Sequence, residues 1–212
     1  GAGEFGREPR RDKQFEGIVR PPRRTSTMTS RASRWYALSG SAIALLIFPV
    51  GMLVTGLVMI GYMSPIYSGL QYLDYDCAYQ YLFNGAGLMK GYNPSHTDHP
   101  GTPVHILTGL ISILSWSIAR LSGLTSLAFP VSIATNPEEY LRVIMTTFLV
   151  MNCMAVYCLG AAIARATGFA VAGIACQTGY FLFGALFPRV FHAAPEAILC
   201  LSATALMCVL TP

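Results

Sequence analysis

Residues 143–164 read VIMTTFLVMNCMAVYCLGAAIA, an uncharged stretch framed by Arg142 and Arg165. As a helix it is long enough to cross a hydrocarbon core of ~30 Å, which takes about 20 apolar residues. It is not alone. Residues 35–73, 99–119, 121–137, 166–188 and 197–212 are equally free of Asp, Glu, Lys and Arg. None alternates polar and apolar positions with the period of two that a transmembrane β-barrel requires. Composition agrees: of 212 residues, 53% are hydrophobic and 11% charged, against about 25% charged in a soluble domain. The chain is therefore expected to be an all-α, polytopic helical membrane protein.

Charge divides the chain in two. Residues 1–36 hold nine of the fourteen Lys/Arg and four of the ten Asp/Glu. That segment is rich in Arg, Pro, Ser and Thr and buries too little apolar surface to offset its ordering entropy, so a disordered basic tail is expected. Beside an oily domain such a tail marks the cytoplasmic side and implies no nucleic-acid partner. The opening GAGEFG reads as a non-native remnant, with Met28 a plausible start. Residues 37–212 form the membrane domain. The chain stops at Thr211-Pro212 directly after an apolar run, so it is expected to be the N-terminal part of something longer.

Within the membrane domain a first span is expected at about 38–62, its N-terminus cytoplasmic beside Arg31 and Arg34. Residues 63–102 then lie outside. Over 74–90 apolar groups recur at 75, 79, 82, 83, 86 and 89, with Asp76, Gln80 and Asn84 on the opposite stripe. That spacing predicts an amphipathic juxtamembrane helix, ended by the turn Gly91-Tyr92-Asn93-Pro94-Ser95. Asn136-Pro137-Glu138-Glu139 reads as a helix start, with Asn as cap and Pro at the first helical position. It opens a span at about 140–163, followed by another at 168–187 and a last one from Ala194-Pro195-Glu196. Residues 103–122 are ambiguous, being long enough to cross but polar at His105, four Ser and Arg120. If they cross there are five spans, which the positive charges favour; if they stay in the interface there are four. Four is the count adopted.

The outer loop holds the unusual chemistry: Asp74-Tyr75-Asp76, Lys90, and His96-Thr97-Asp98-His99-Pro100-Gly101-Thr102-Pro103. Carboxylates beside a membrane mark functional sites unless solvated or paired. Helix positions i and i+2 point about 200° apart, so Asp74 and Asp76 cannot share one target. Asp76 lies on the polar stripe and is the better base; Asp74 is the better cap. The plain alternative is that both merely cap and solvate the helix. His96, Asp98, His99 and His105 fit no familiar zinc spacing. Arg142 is read either as a bidentate phosphate ligand or as the partner of Glu138 or Glu139 one turn away. Glu196, in a first helical turn, is favoured there by the helix dipole alone. Cys153, Cys158, Cys176, Cys200 and Cys208 are expected as small apolar residues in helices, with Cys77 alone outside.

In order, Asp74/Asp76, the helix over 76–90, Gly91-Tyr92-Asn93-Pro94, His99-Pro100 with Pro103, Arg142 and Arg165 resemble the N-terminal part of a GT-C superfamily glycosyltransferase. That superfamily includes the protein O-mannosyltransferases and the lipid A aminoarabinose transferase. The likeness covers about 38–200 and departs where the family's His-Pro-Pro reads His-Pro-Gly-Thr-Pro. It implies an inverting transfer from a polyprenyl-phosphate sugar to a hydroxyl of a lipid, glycan or protein acceptor, on the outer face of the plasma (inner) membrane. Asp76 would be the base, with Asp74 beside it. Arg142, Lys90 and Arg189 would neutralise the phosphate, with His99 and Glu196 also near substrate. No cofactor is implied with certainty; a divalent cation is left open. The competing readings are a transporter fragment, although no internal repeat is present, and a non-catalytic membrane protein.

Overall fold

The computed structural model describes residues 42–66, 78–94, 102–182 and 195–210, with the side chains of 62–66, 180–182 and 195–196 outside the description. Among the described residues the chain is helical throughout and contains no strand. The helices are α1 (Ile47–Ile66), α2 (Ala78–Leu88), α3 (Thr102–Leu121), α4 (Phe129–Thr135), α5 (Pro137–Thr167), α6 (Ala170–Leu182) and α7 (Pro195–Leu210). Three are long and apolar enough to cross a bilayer: the segment Ala42–Gly61 ending within α1, then α3 and α5. The region read as ambiguous is thus one continuous helix, Thr102–Leu121.

α5 is the axis of the assembly. Its 31 residues run about 46 Å at a helical rise of ~1.5 Å per residue. Leu141, Ile144, Met145, Phe148, Leu149, Cys153 and Val156 recur at three- and four-residue spacing and are all buried, because α1, α3, α6 and α7 all pack on this helix. α1 runs antiparallel to it. Gly56 faces Leu149, where a Cβ would lie 2.6 Å from Leu149 Cδ2, while Ala42 and Leu45 lie beside Tyr157, Ala161 and Arg165. The C-terminal end of α1 and the N-terminal end of α5 therefore share one side.

α5 ends where Gly168 adopts φ 75°, a left-handed conformation that suits Gly because it has no Cβ. α6 then folds back antiparallel, so tightly at Gly160 and Gly173 that a Cβ on Gly173 would collide with the Gly160 carbonyl oxygen. The fully buried Gln177 locks this corner: its Nε2 donates to Leu45 O at 3.1 Å and Val156 O at 3.2 Å. Inside α5, Asn152 Nδ2 donates to Phe148 O at 3.0 Å and reaches Ala197 O of α7 at 3.3 Å. The five described cysteines lie on α5, α6 and α7, as expected, with no disulfide among them; Cys77 lies outside the described residues.

Two local expectations are corrected. Asn84, read as part of a wet stripe with Asp76 and Gln80, is 8% exposed. The buried face of α2 instead runs through Ala78, Tyr81, Leu82, Gly85 and Ala86, and Phe83 on the supposed apolar face is 45% exposed. The reason is Gly85, which lets α3 approach to backbone contact: a Cβ on Gly109 would stand 2.5 Å from Gly85 O. Leu82 and Ala86 of the expected apolar stripe are buried there; the close contact at Gly85 adds Asn84 to them and leaves Phe83 outward. Asn136 does hold the N-cap position before Pro137, but its side chain makes no capping bond. Its Nδ2 donates to Thr135 Oγ1 at 3.1 Å and its backbone N–H closes α4 on Ser132 O. α4 abuts α5 directly, so the Asn serves the end of one helix rather than the start of the next.

Candidate functional site

The first two turns of α5 carry the only cluster of charged side chains among the described residues. Pro137 starts the helix, and Glu138 and Glu139 follow in its first turn, where carboxylates meet the unpaired N–H groups and the positive end of the dipole. Arg142 Nη1 donates to Glu139 Oε1 at 3.1 Å and Oε2 at 3.3 Å. Both side chains are well exposed, at 41% for Arg142 and 67% for Glu139. The structure thus contains the local ion pair that was one of the two readings of Arg142. Glu138 turns to α2, where Tyr79 Oη donates to its Oε1. That bond ties the first turn of α2 to the first turn of α5.

Beside the pair a cleft of about 350 Å³ opens between α3, α4 and α5. Ser115, Thr125, Ser132, Asn136, Glu139 and Tyr140 supply its polar wall. Ser132 Oγ and Tyr140 Oη hydrogen-bond at 2.8 Å and are buried. The loop that closes α3 is held by Arg120, which donates to Ser126 O, and by Trp116 Nε1, which donates to Leu127 O at 3.0 Å. A concave surface with hydroxyl, amide and carboxylate groups at one rim can accept hydrogen bonds from a polyhydroxylated ligand. A guanidinium beside it can meet an anion.

Of the residues singled out from sequence, Arg142 belongs to this cluster. Lys90 lies exposed in the turn that follows α2, its N–H bonded to Gly87 O at 2.9 Å. Asp74, Asp76, His99 and Arg189 lie outside the described residues, and so does the side chain of Glu196, in the first turn of α7. His96 and Asp98 are likewise outside. His105 is buried at 4% exposure between α2 and α3, its ring 5.2 Å from that of Tyr81. Sequence reasoning passed over Tyr79, Ser132 and Tyr140. The spacing of Ser132 and Tyr140 across Asn136-Pro137 was the available signal, since a helix break brings residues on either side together.

Compared with protein-family models, curated proteins and solved structures, the chain matches none. The class that the fold defines is a helical assembly in which, among the described residues, three helices are long and apolar enough to cross a bilayer.

Proposed function

We propose that this chain is the N-terminal part of an integral-membrane glycosyltransferase of the GT-C type. It moves a sugar from a polyprenyl-phosphate donor to an acceptor hydroxyl at the outer face of the membrane, with inversion. One observation carries the reading: α2 begins at the end of α5 that bears Arg142, joined to it through Tyr79 and Glu138. Asp76 precedes Ala78 by two residues, which limits their Cα separation to about 7–8 Å. Asp76 itself lies outside the described residues; its carboxylate is taken to share the Arg142 side, as a common sugar phosphate requires.

Membrane geometry supports the same arrangement. Arg142 and Arg165 stand about 34 Å apart along α5 at ~1.5 Å per residue, close to the thickness of the hydrocarbon core. The guanidinium read from sequence as lying within a span is then at headgroup level, where it need not be dehydrated. With α1 antiparallel to α5, the chain leaves one crossing and enters the other on the same face. The α2–α3 unit between them therefore returns to the face it left, which supports reading α3 as a segment that does not cross. Between Pro103 and Arg120 the exposed positions of α3 are Ile106, Leu110, Leu114 and Ile118. A helix lying flat in the interface turns a polar face to water; this one turns only apolar groups outward, as a re-entrant segment beside a lipid-tail path would.

In the reaction the acceptor oxygen attacks the anomeric carbon as the bond to phosphate breaks. Asp76 takes the acceptor proton, a step typically worth about 10²–10⁴ in rate. The departing phosphate gains charge, which Arg142, with Lys90 and Arg189, stabilises preferentially in the transition state. His99 and Glu196 flank the substrate, with Asp74 beside Asp76. The test is sugar transfer by the full-length protein in proteoliposomes. Asp76→Asn and Arg142→Ala are each expected to lower turnover about 10²-fold or more. Undiminished transfer in both variants would defeat the proposal.

A further inference from the structure

At the far end of α5 a second cavity, of about 470 Å³, opens between the helical turn before α1, the end of α5 and the start of α6. Its walls are small: Ala42, Ala161, Ala164 and Ala170, with Tyr157 deeper and Arg165 at the rim. Arg165 makes no ion pair or hydrogen bond among the described residues. The carboxylates of Glu138 and Glu139 sit at the opposite end of the same helix, about 40 Å away at ~1.5 Å per residue. Among the described residues, then, no carboxylate stands beside Arg165, and its guanidinium faces the cavity as a donor for an anion. Phe169 and Val171, on either side of the start of α6, are 71% and 75% exposed, which water would not favour and a lipid boundary would.

We propose that this cavity seats one anionic glycerophospholipid, its phosphate on Arg165 and the upper part of one acyl chain against the alanine-lined groove. Two properties select that occupant over a soluble anion. The lining below the cation is apolar, so it matches a chain and not a hydrated ion. The cavity also lies at the end of a bilayer-length helix, where lipid headgroups are concentrated and basic pockets between helices take anionic ones. Zwitterionic phosphatidylcholine places a second cation against Arg165 and is the natural discriminating control.

The test uses the intact chain reconstituted in vesicles of equal parts phosphatidylglycerol and phosphatidylcholine. It is then extracted in mild detergent, and the retained lipids are quantified by mass spectrometry. The wild type is expected to retain phosphatidylglycerol in preference. Arg165→Gln should lower that preference about five- to tenfold, the effect of one charged contact. The basic N-terminal tail is present in both proteins, so its general attraction for anionic lipid cancels. Ala164→Leu keeps the charge but fills the groove, and it should lower retention as well. Equal retention of the two lipids by the wild type overturns the proposal. So does an unchanged preference in Arg165→Gln, or in Ala164→Leu, which would leave only a diffuse surface charge.

Discussion

Gly109→Ala adds a single methyl group to α3, and the structure says what it meets. The new Cβ would stand 2.5 Å from Gly85 O, 3.0 Å from Gly85 C and 3.1 Å from Met89 Cε. Met89 can move; the Gly85 backbone can move only if α2 moves with it. Restoring ordinary van der Waals contact requires a displacement of nearly 1 Å. A radial gap of 0.5–1 Å forfeits about a quarter to a half of each dispersion contact along the interface. The interface also includes the Thr108 hydroxyl, which donates to Tyr81 O at 2.9 Å and would be stretched. Against this stands the intrinsic helix preference of Ala over Gly, about 0.8–1 kcal/mol. Overpacking of a tight contact typically costs about 1–3 kcal/mol, so the substitution should be net destabilising. Gly61→Ala is the paired control, because a Cβ there meets nothing within 4 Å and only the helix preference remains. Apparent melting temperatures in one detergent at one scan rate should place Gly109→Ala below Gly61→Ala by about 2–10 °C. Equal melting temperatures would refute the close crossing of α2 and α3.

Glu139→Gln should change stability by no more than about 0.5 kcal/mol, because the pair with Arg142 is solvent-exposed and of the i, i+3 type. A larger loss in thermal unfolding, undiminished by salt, would show that the pair is desolvated. Tyr79→Phe removes a donor from a charged acceptor and should cost about 1.5–3 kcal/mol, read by the same assay; no change would mean that α2 is not anchored to α5 there. Cysteines introduced at Lys90 and Asn136 should react with an impermeant maleimide from one side of oriented vesicles, and a cysteine at Thr167 from the other. Labelling of Lys90→Cys and Thr167→Cys from the same side would undo the helix arrangement.

Helices were legible in the sequence wherever one property decided them. The uncharged run framed by Arg142 and Arg165 is α5, because lipid-length apolar stretches have few alternatives to a helix. Pro137 and Gly168 bound that helix for reasons that belong to the residues themselves. What periodicity misjudged in α2 were two positions, Asn84 and Phe83. Leu82 and Ala86 of the apolar stripe are buried as expected, but beside a close helix contact size also decides burial. Gly85 drew α3 in, and Asn84 was buried alongside while Phe83 was left outward. Pairing across distance was equally closed to inspection. Tyr79 with Glu138, and Gln177 with Leu45, are joined only after the helices have chosen their neighbours. The loop chemistry of Asp74, Asp76 and His99 rests on sequence order alone, since those residues lie outside the described ones.

The two arginines of α5 pose opposite electrostatic problems, and the difference bears on what each end can bind. Arg142 has a carboxylate partner, so at that end of the helix the guanidinium is already paired at rest. An exposed pair of this kind contributes about 0–1 kcal/mol, less than a charge-assisted bidentate contact with phosphate can offer in a partly dehydrated site. Glu139 therefore orients the guanidinium without holding it against a stronger anion. A phosphate arriving there would exchange one partner for another and leave Glu139 to hydrogen-bond hydroxyl groups at the rim of the polar cleft. Arg165 has no such partner among the described residues. A guanidinium resting on an exchangeable partner suits a ligand that comes and goes; one with no partner among the described residues suits a ligand that stays. That contrast is the ground for proposing substrate at the Arg142 end and a resident lipid at the Arg165 end.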